Sequence, residues 1–520
     1  MPDQVQIVEI PCGQGGLNSS ELISNYPITD LKTAENLSYE DDTWRKEGGA
    51  SKINSVAFTG APTITGLWEF FPTEYIQKRI AGTSDGKIVS FGASGIVDTL
   101  ASGLGANKQF VFSEAYGTSN TRKLFIFNNY DAVKVTSDGV TASDITKPPT
   151  DWAGTNQPIS GVVHNGRLWG FGNPNAPHRI YYSVLTDHEN FQDAGSGTIQ
   201  CYPGEGEKLV GGVSFAGRLY LFKYPRGVYW VNDTDTDVAN WGCKRLTNSV
   251  GLAGPLALTQ VDNDVIFVSV DGFIYSLSAV QEYGESASIK TAAIMVEKIG
   301  NWLRNNVALS RIQKCVALYY PSKKELHIAY TQSGKTYNNV QLILEGHNIQ
   351  NLRFRVNTRD ACESMALTRD ANYVYRPMVG DNAGFVRILD NSTRNKDGGA
   401  YTGKFETADI PLIEKGSRRA NLQYLETIFK PFGDYYLTVD IYRDGIYSNT
   451  VNVYMGTSGG RLDSFVLGTD VLGGGTVLNT RNRLIGDCRR IKLIGYNSGV
   501  NEDFSISGFL VGYTIGNEMI

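Results

Sequence analysis

The sequence predicts an all-β protein: a β-propeller of about six to seven blades with one inserted helix, an N-terminal strap and a C-terminal β-sandwich-like domain. The first observation is a repeated hairpin, a short apolar run, a turn with Gly and a second apolar run, seen in Ile80 to Phe91, Gly211 to Phe222 and Val265 to Tyr275. Its turn glycines Gly86, Gly139, Gly217, Gly272, Gly334 and Gly384, with Gly166 between two of them, recur at roughly 50-residue intervals, near the period of a propeller blade. The second is composition: 57 Gly and 17 Pro supply turns, 11% aromatics suit strands, and long helical patterns are nearly absent. The third is that the period ends after the polar stretch Asn391 to Ala400. At 520 residues the chain exceeds one ordinary core and divides into two or three bodies.

Residues 1–55 form the strap. They carry Gly13 to Asn18, Leu31 to Tyr39 and Trp44 to Gly49, short extended pieces too polar and Gly-rich to bury a core of their own. The strap is expected to lie along a neighbouring body or subunit. Residues 56–395 form the propeller, with strands at Leu124–Asn128, Ala132–Val135, Gly161–Phe171, Arg179–Val184, Leu219–Val231, Cys315–Tyr320, Glu325–Thr331, Val340–Leu344 and Gly384–Leu389. One stretch breaks the pattern: Ala287 to Val307 places Ile289, Ala292, Ala293, Val296, Ile299, Trp302 and Leu303 at helical spacing, a helix expected on the outside of a blade. Residues 396–520 alternate differently, through Tyr435–Tyr442, a turn at Asp444-Gly445, Thr450–Met455, a loop at Gly473-Gly474-Gly475, Arg490–Tyr496 and Phe504–Tyr513, as in a sandwich or barrel.

Motifs for chemistry are sparse. Five histidines, His164, His178, His188, His327 and His347, form no HExxH or HxH pattern. Asp233-Thr234-Asp235-Thr236-Asp237 opens like a calcium loop, but Val238 and Lys244 stand where Gly and a bidentate Glu belong, so it reads as an acidic turn. Gly204 to Gly212 lacks the GK[ST] ending and the following helix of a phosphate loop. Asp262, Asp264 and Asp271 serve equally as blade-end carboxylates of a glycosidase or as hairpin residues. Cys12, Cys201, Cys243, Cys315, Cys362 and Cys488 include no CxxC pair, which leaves buried free thiols rather than a zinc cage or disulfide framework. No cofactor, no metal and no catalytic residue is predicted.

The net charge of −5 argues against a protein built to grip nucleic acid electrostatically, though not against a surface along which it slides. Met1 to Pro11 lacks a basic segment followed by an apolar core, and no stretch has the apolar length to cross a bilayer, so synthesis and retention in the cytoplasm, or release by lysis, is expected. Basic clusters stand at Arg353-Phe354-Arg355 with Arg359, at Lys415 with Arg418 and Arg419, and at Arg481, Arg483, Arg489, Arg490 and Lys492. Arg353, Arg355, Arg418, Arg419, Arg489 and Arg490 are the candidates for DNA or intersubunit contact.

Several segments resemble a known family. Gly15-Gly16-Leu17-Asn18, Leu31 to Asn36 and Arg45-Lys46-Glu47-Gly48-Gly49, then Ala287-Ser288-Ile289 leading into Val296-Glu297-Lys298-Ile299, then Cys488 to Tyr496 with Phe504 to Phe509, are similar to matching parts of tailed-phage tail-nozzle, or packaged-DNA stabilisation, proteins. The resemblance implies a virion protein: a propeller with added β domains, six copies in a ring below the portal and its adaptor and above the distal tail proteins. The ring's channel would retain packaged double-stranded DNA and conduct it during ejection without sequence readout. It implies no catalytic residues, so the chain is expected not to be an enzyme. The competing readings are a propeller glycosidase or carbohydrate-binding protein, which needs carboxylates and aromatics at the channel mouth, and an intracellular scaffold propeller.

Overall fold

Strand pairing between Ile64 and Asn391 builds seven successive sheets around one axis in this computed structural model, which describes all residues except 1–3, 21–25, 117–120, 206, 295, 347–351, 414–417, 432, 457–477 and 517–520. Blade 1 is Ile64–Thr73, Ile76–Thr83, Lys87–Gly92 and Gly95–Ala101. Blade 2 is Val111–Tyr116, Arg122–Phe127, Lys134–Thr136 and Ser143–Asp144. Blade 3 is Ser160–His164, Arg167–Asn173, Ala176–Tyr182 and Gly197–Gln200. Blade 4 is Lys208–Phe215, Arg218–Tyr224, Val228–Asn232 and Gly242–Thr247. Blade 5 has three strands, Leu258–Val261, Asp264–Val268 and Ile274–Ser276. Blade 6 is Val316–Tyr320, Glu325–Tyr330, Val340–Glu345 and Arg353–Asn357. Blade 7 is Ser364–Arg369, Tyr375–Gly380 and Val386–Asn391, completed by Gly49–Lys52 from the strap.

Six of these sheets are self-contained, and blade 6 is the edge of a larger one. The first strand of each blade lies against the first strands of its neighbours, and blade 7 returns to blade 1. There the Ser364 hydroxyl donates to the Ile64 carbonyl at 2.8 Å, and the Ile64 N–H donates to the Asp381 carbonyl at 2.9 Å. Apolar clusters fill the seams: Phe70, Phe110 and Leu124 between blades 1 and 2, and Phe58, Ile64, Ala366 and Met378 between blades 7 and 1. The seven turn glycines fall one to a blade, each with φ between 67° (Gly139) and 84° (Gly334), a region costly for residues with a Cβ. They do not occupy one position. Gly166 and Gly217 join first to second strands, Gly139 third to fourth, and the other four second to third, which is why the interval in sequence wanders.

The helix differs from its prediction. Helices run over Leu277–Tyr283 and Val296–Asn306, and Ala292–Ile294 lies outside both, in a turn and an isolated bridge. Blade 5 has an open edge strand: the Ser276 and Ile294 N–H groups donate to Ala292 and Ile274, and Ala293 bridges Tyr275, so this segment takes the fourth-strand place. Satisfying that edge outweighs the helical spacing of Ile289, Ala292 and Ala293. The helix Val296–Asn306 turns Ile299, Gly300 and Leu303 inward. Ser19 of the strap is fastened to it through Lys298 and Trp302.

The C-terminal strands form a sandwich, and the strap is woven through it. One sheet holds Leu478–Arg483, Ala420–Phe429 and Ser505–Ile515, with Gln6–Pro11 and the hairpin Leu37–Glu40/Thr43–Lys46 on the far side. The facing sheet holds Asp30–Glu35, Gly403–Thr407, Arg490–Asn497, Tyr436–Arg443 and Ile446–Tyr454. Phe405 of one packs on Phe504 and Phe509 of the other, each at 6.1 Å between ring centres. Blade 6 joins this second sheet through a parallel pairing of Val356 with Glu35, making eleven strands continuous. Strand pairing therefore runs across residue 395, and the strap serves its own chain's sheets. The loop at Gly473-Gly474-Gly475 lies outside the described residues.

Candidate functional site

The inner strands enclose an axial cavity of about 610 Å³, with side chains from blades 1, 2, 5, 6 and 7 on its wall. Trp68 and Phe112 stack at 6.2 Å, and Phe71, Tyr319 and Tyr375 add further aromatic surface. Two carboxylates stand among them. Glu69 accepts from the Thr368 hydroxyl at 2.6 Å and the Arg369 N–H at 2.8 Å, which fixes it as an acceptor. Glu114 has Arg122 at 3.8 Å as an ion-pair partner; burial pushes its carboxyl up, against the pull of the Trp68 indole and Arg122. Both carboxylates line the same cavity. The sequence reading did not single out Glu69 or Glu114. Each sits inside an inner strand, where only the closed ring turns it toward the axis.

Asp264 and Asp271 do local work. Asp264 accepts from Ser276, Ser278 and the Val265 N–H, and Asp271 accepts from the Phe273 N–H and the Tyr275 hydroxyl. In the acidic turn, Asp235 and Asp237 accept from N–H groups two residues onward, while Asp233 takes Asn165 and His164. Among the described residues no group of three or more metal-ligating side chains gathers.

The candidate arginines divide into two places. Arg353 and Arg355 sit on the last strand of blade 6, where propeller meets sandwich. Arg355 is 1% exposed and meets Glu47 of the strap at 3.0 Å, Glu325 at 2.9 Å and Glu345 at 3.0 Å. Burial opposes charge on Glu325, but Arg355 and His327 outweigh it and hold its carboxyl at about 2. Glu345 is pushed up by burial, against the pull of Arg355 and Arg353. A side chain so enclosed has no surface to offer DNA or another subunit, so the expectation for Arg355 is corrected: it holds the strap to blade 6. Arg353 lies over the Tyr39 ring at 3.7 Å and bonds Glu345 and the Gln14 carbonyl. Arg359, noted beside them, is likewise buried against Asp360.

The second group lies at one edge of the sandwich. Arg419 pairs with Asp444 at 2.6 Å and with Asp487. The N–H groups of Arg489 and Arg490 both donate to Asp444 at 2.9 Å, and the Arg490 guanidinium meets Asp409 at 3.2 Å. Burial opposes charge on Asp444, yet these backbone donors and Arg419 lower its carboxyl. Arg418 and Arg489 are exposed and Arg419 and Arg490 half-buried, so the fold brings these four together on an accessible face. Lys415 and His347 lie outside the described residues.

No protein-family model and no curated protein matches this chain. Solved structures do match. The WD40 β-propeller domain of Doa1 is 11% identical, with 66% of this chain and 97% of that one covered at a TM-score of 0.39. The computationally designed Ika8 protein is 10% identical, with 65% and 99% covered at 0.38. An exo-β-1,3-galactanase from Phanerochaete chrysosporium is 10% identical, with 90% and 99% covered at 0.28. With an enzyme among these matches, the expectation that the chain is no enzyme is corrected and not carried further; a TM-score of 0.28 assigns the chain no activity of its own. The class defined by the structure is an all-β propeller protein with a sandwich welded to one blade.

Proposed function

We propose that this chain is a structural subunit of a virion tail, a nozzle in which six copies form a ring that closes the portal channel, retains packaged DNA and conducts it during ejection. The observation that carries the reading is the weld: blade 6 runs into the sandwich as one eleven-stranded sheet, while the strap closes blade 7 and crosses both sandwich sheets. A continuous hydrogen-bonded sheet between two bodies resists bending, as the wall of a loaded conduit must. The net charge of −5 suits a lumen from which DNA must leave, since each neutralised phosphate would slow it. The accessible Arg418, Arg419, Arg489 and Arg490 are the surface for contact with a neighbouring copy or with DNA. Its partners are then further copies of itself, the portal adaptor, the distal tail proteins and double-stranded DNA, and its place is the virion tail after assembly in the host cytoplasm. Electron microscopy of the purified protein, alone and with tail partners, is expected to show a closed ring with an axial channel. A chain that stays monomeric under both conditions overturns the reading.

A second reading rests on the axial cavity, whose aromatic wall and two carboxylates, Glu69 and Glu114, suit a saccharide. It predicts that glycan binding or cleavage is lost in Glu114→Gln while the protein stays folded.

A further inference from the structure

Blades 3 and 4 meet at their outer strands, Gly197–Gln200 and Gly242–Thr247, which belong to separate sheets and exchange no ladder hydrogen bonds. Cys201 follows the first of these strands, its N–H donating to the His178 carbonyl at 2.9 Å, and is fully buried. Cys243 lies within the second, opposite Val231, and is half-buried. Both are free thiols, and their sulfurs are 2.6 Å apart across the seam. Their backbones are fixed by strand pairing on each side. Aromatic rings enclose the pair: Trp241 stacks on Trp169 at 5.8 Å, and Tyr202 meets Tyr229 at 5.3 Å. No other cysteine of the chain is drawn to this seam, since Cys12, Cys315, Cys362 and Cys488 belong to other clusters or other strands.

We propose that Cys201 and Cys243 are a modification site: a pair that oxidises to a disulfide and staples the rims of blades 3 and 4. The oxidant is a small disulfide such as oxidised glutathione. The accessible Cys243 thiolate attacks one of its sulfurs, forming a mixed disulfide and expelling one glutathione thiolate, which takes up a proton. Cys201 then loses its proton to solvent and attacks the Cys243 sulfur, expelling the second glutathione. Two protein thiols are oxidised to one disulfide while one glutathione disulfide is reduced to two thiols. Burial keeps the Cys201 thiol protonated, which makes Cys243 the group that begins the exchange. The bond closes a loop spanning 42 positions and restricts the unfolded chain, so it stabilises the ring at a rim whose outer strands exchange no ladder hydrogen bonds.

The test uses the full chain incubated with oxidised glutathione, alkylated under denaturing conditions and mapped by mass spectrometry. The expected result is a linked peptide pair containing Cys201 and Cys243, two fewer alkylated thiols than the six of the reduced chain, and reversal by dithiothreitol. The oxidised form should also melt several degrees higher, and Cys243→Ser should show neither the linked peptide nor the shift. Alkylation of all six cysteines after oxidation, or linkage of either residue to a different cysteine or only to glutathione, overturns the proposal. The peptide map on the unaltered protein decides the matter even if the variant fails to fold.

Discussion

The two arginine clusters look alike in the sequence and are opposites in the structure. Arg355 is sealed between the strap and blade 6 with three carboxylates around it, whereas Arg489 stands exposed at the sandwich edge, its N–H held by Asp444. A buried charge is costly unless fully partnered, so the Arg355 guanidinium is committed to holding the fold. In the second, the side chains are exposed or half-buried, and such ion pairs contribute little to stability. Burial, rather than charge density, separates an arginine that welds from one free to meet a partner.

The largest expected effect is at the weld. Arg355→Ala leaves Glu47, Glu325 and Glu345 buried without their shared cation and should cost about 3–5 kcal/mol in denaturant unfolding, with the strap released to protease. A loss below about 1 kcal/mol would put Arg355 with the surface arginines and dissolve the contrast.

Acid should reveal the same site more gently. Glu325 is held at about 2 against an ordinary 4.5, so the folded state binds fewer protons between those values. Its stabilisation is present above the upper value and is lost as pH falls toward the lower; the raised Glu345 works in the opposite direction and reduces the net change. Unfolding midpoints measured across that window should fall less steeply for Glu325→Gln than for the unaltered protein. Equal slopes would show that another carboxylate governs acid unfolding.

The smallest effect on stability belongs to the exposed edge. Arg489→Glu with Arg490→Glu should shift the unfolding free energy by no more than about 0.5–1 kcal/mol, while weakening ring assembly or DNA retention. Unchanged assembly and ejection would remove these arginines from the contact surface.

The sequence made the propeller legible because its hairpins are local. Ile80 to Phe91 pairs with itself through a turn at Gly86, and neither strand needs a distant partner to declare its alternation. Gly166, set between two of the regularly spaced glycines, marks a blade of its own. The helix was half legible: Val296 to Leu303 folds as its spacing predicts, but Ala292 and Ala293 answer to the open edge of blade 5. The cavity carboxylates Glu69 and Glu114 were invisible, since alternation along one strand gives no direction relative to an axis shared by seven sheets.

Local pattern by itself determined that the chain is all-β and where its hairpins turn. Those features depend on side chains two to four residues apart. Only the tertiary structure decided that Gly49–Lys52 closes blade 7, that blade 6 and the sandwich share one sheet, that Arg355 is buried while Arg489 is not, and that Cys201 faces Cys243. Each of these joins residues 42 to more than 300 positions apart, and such pairings are set by which sheet edges and apolar faces remain open once the local elements have formed.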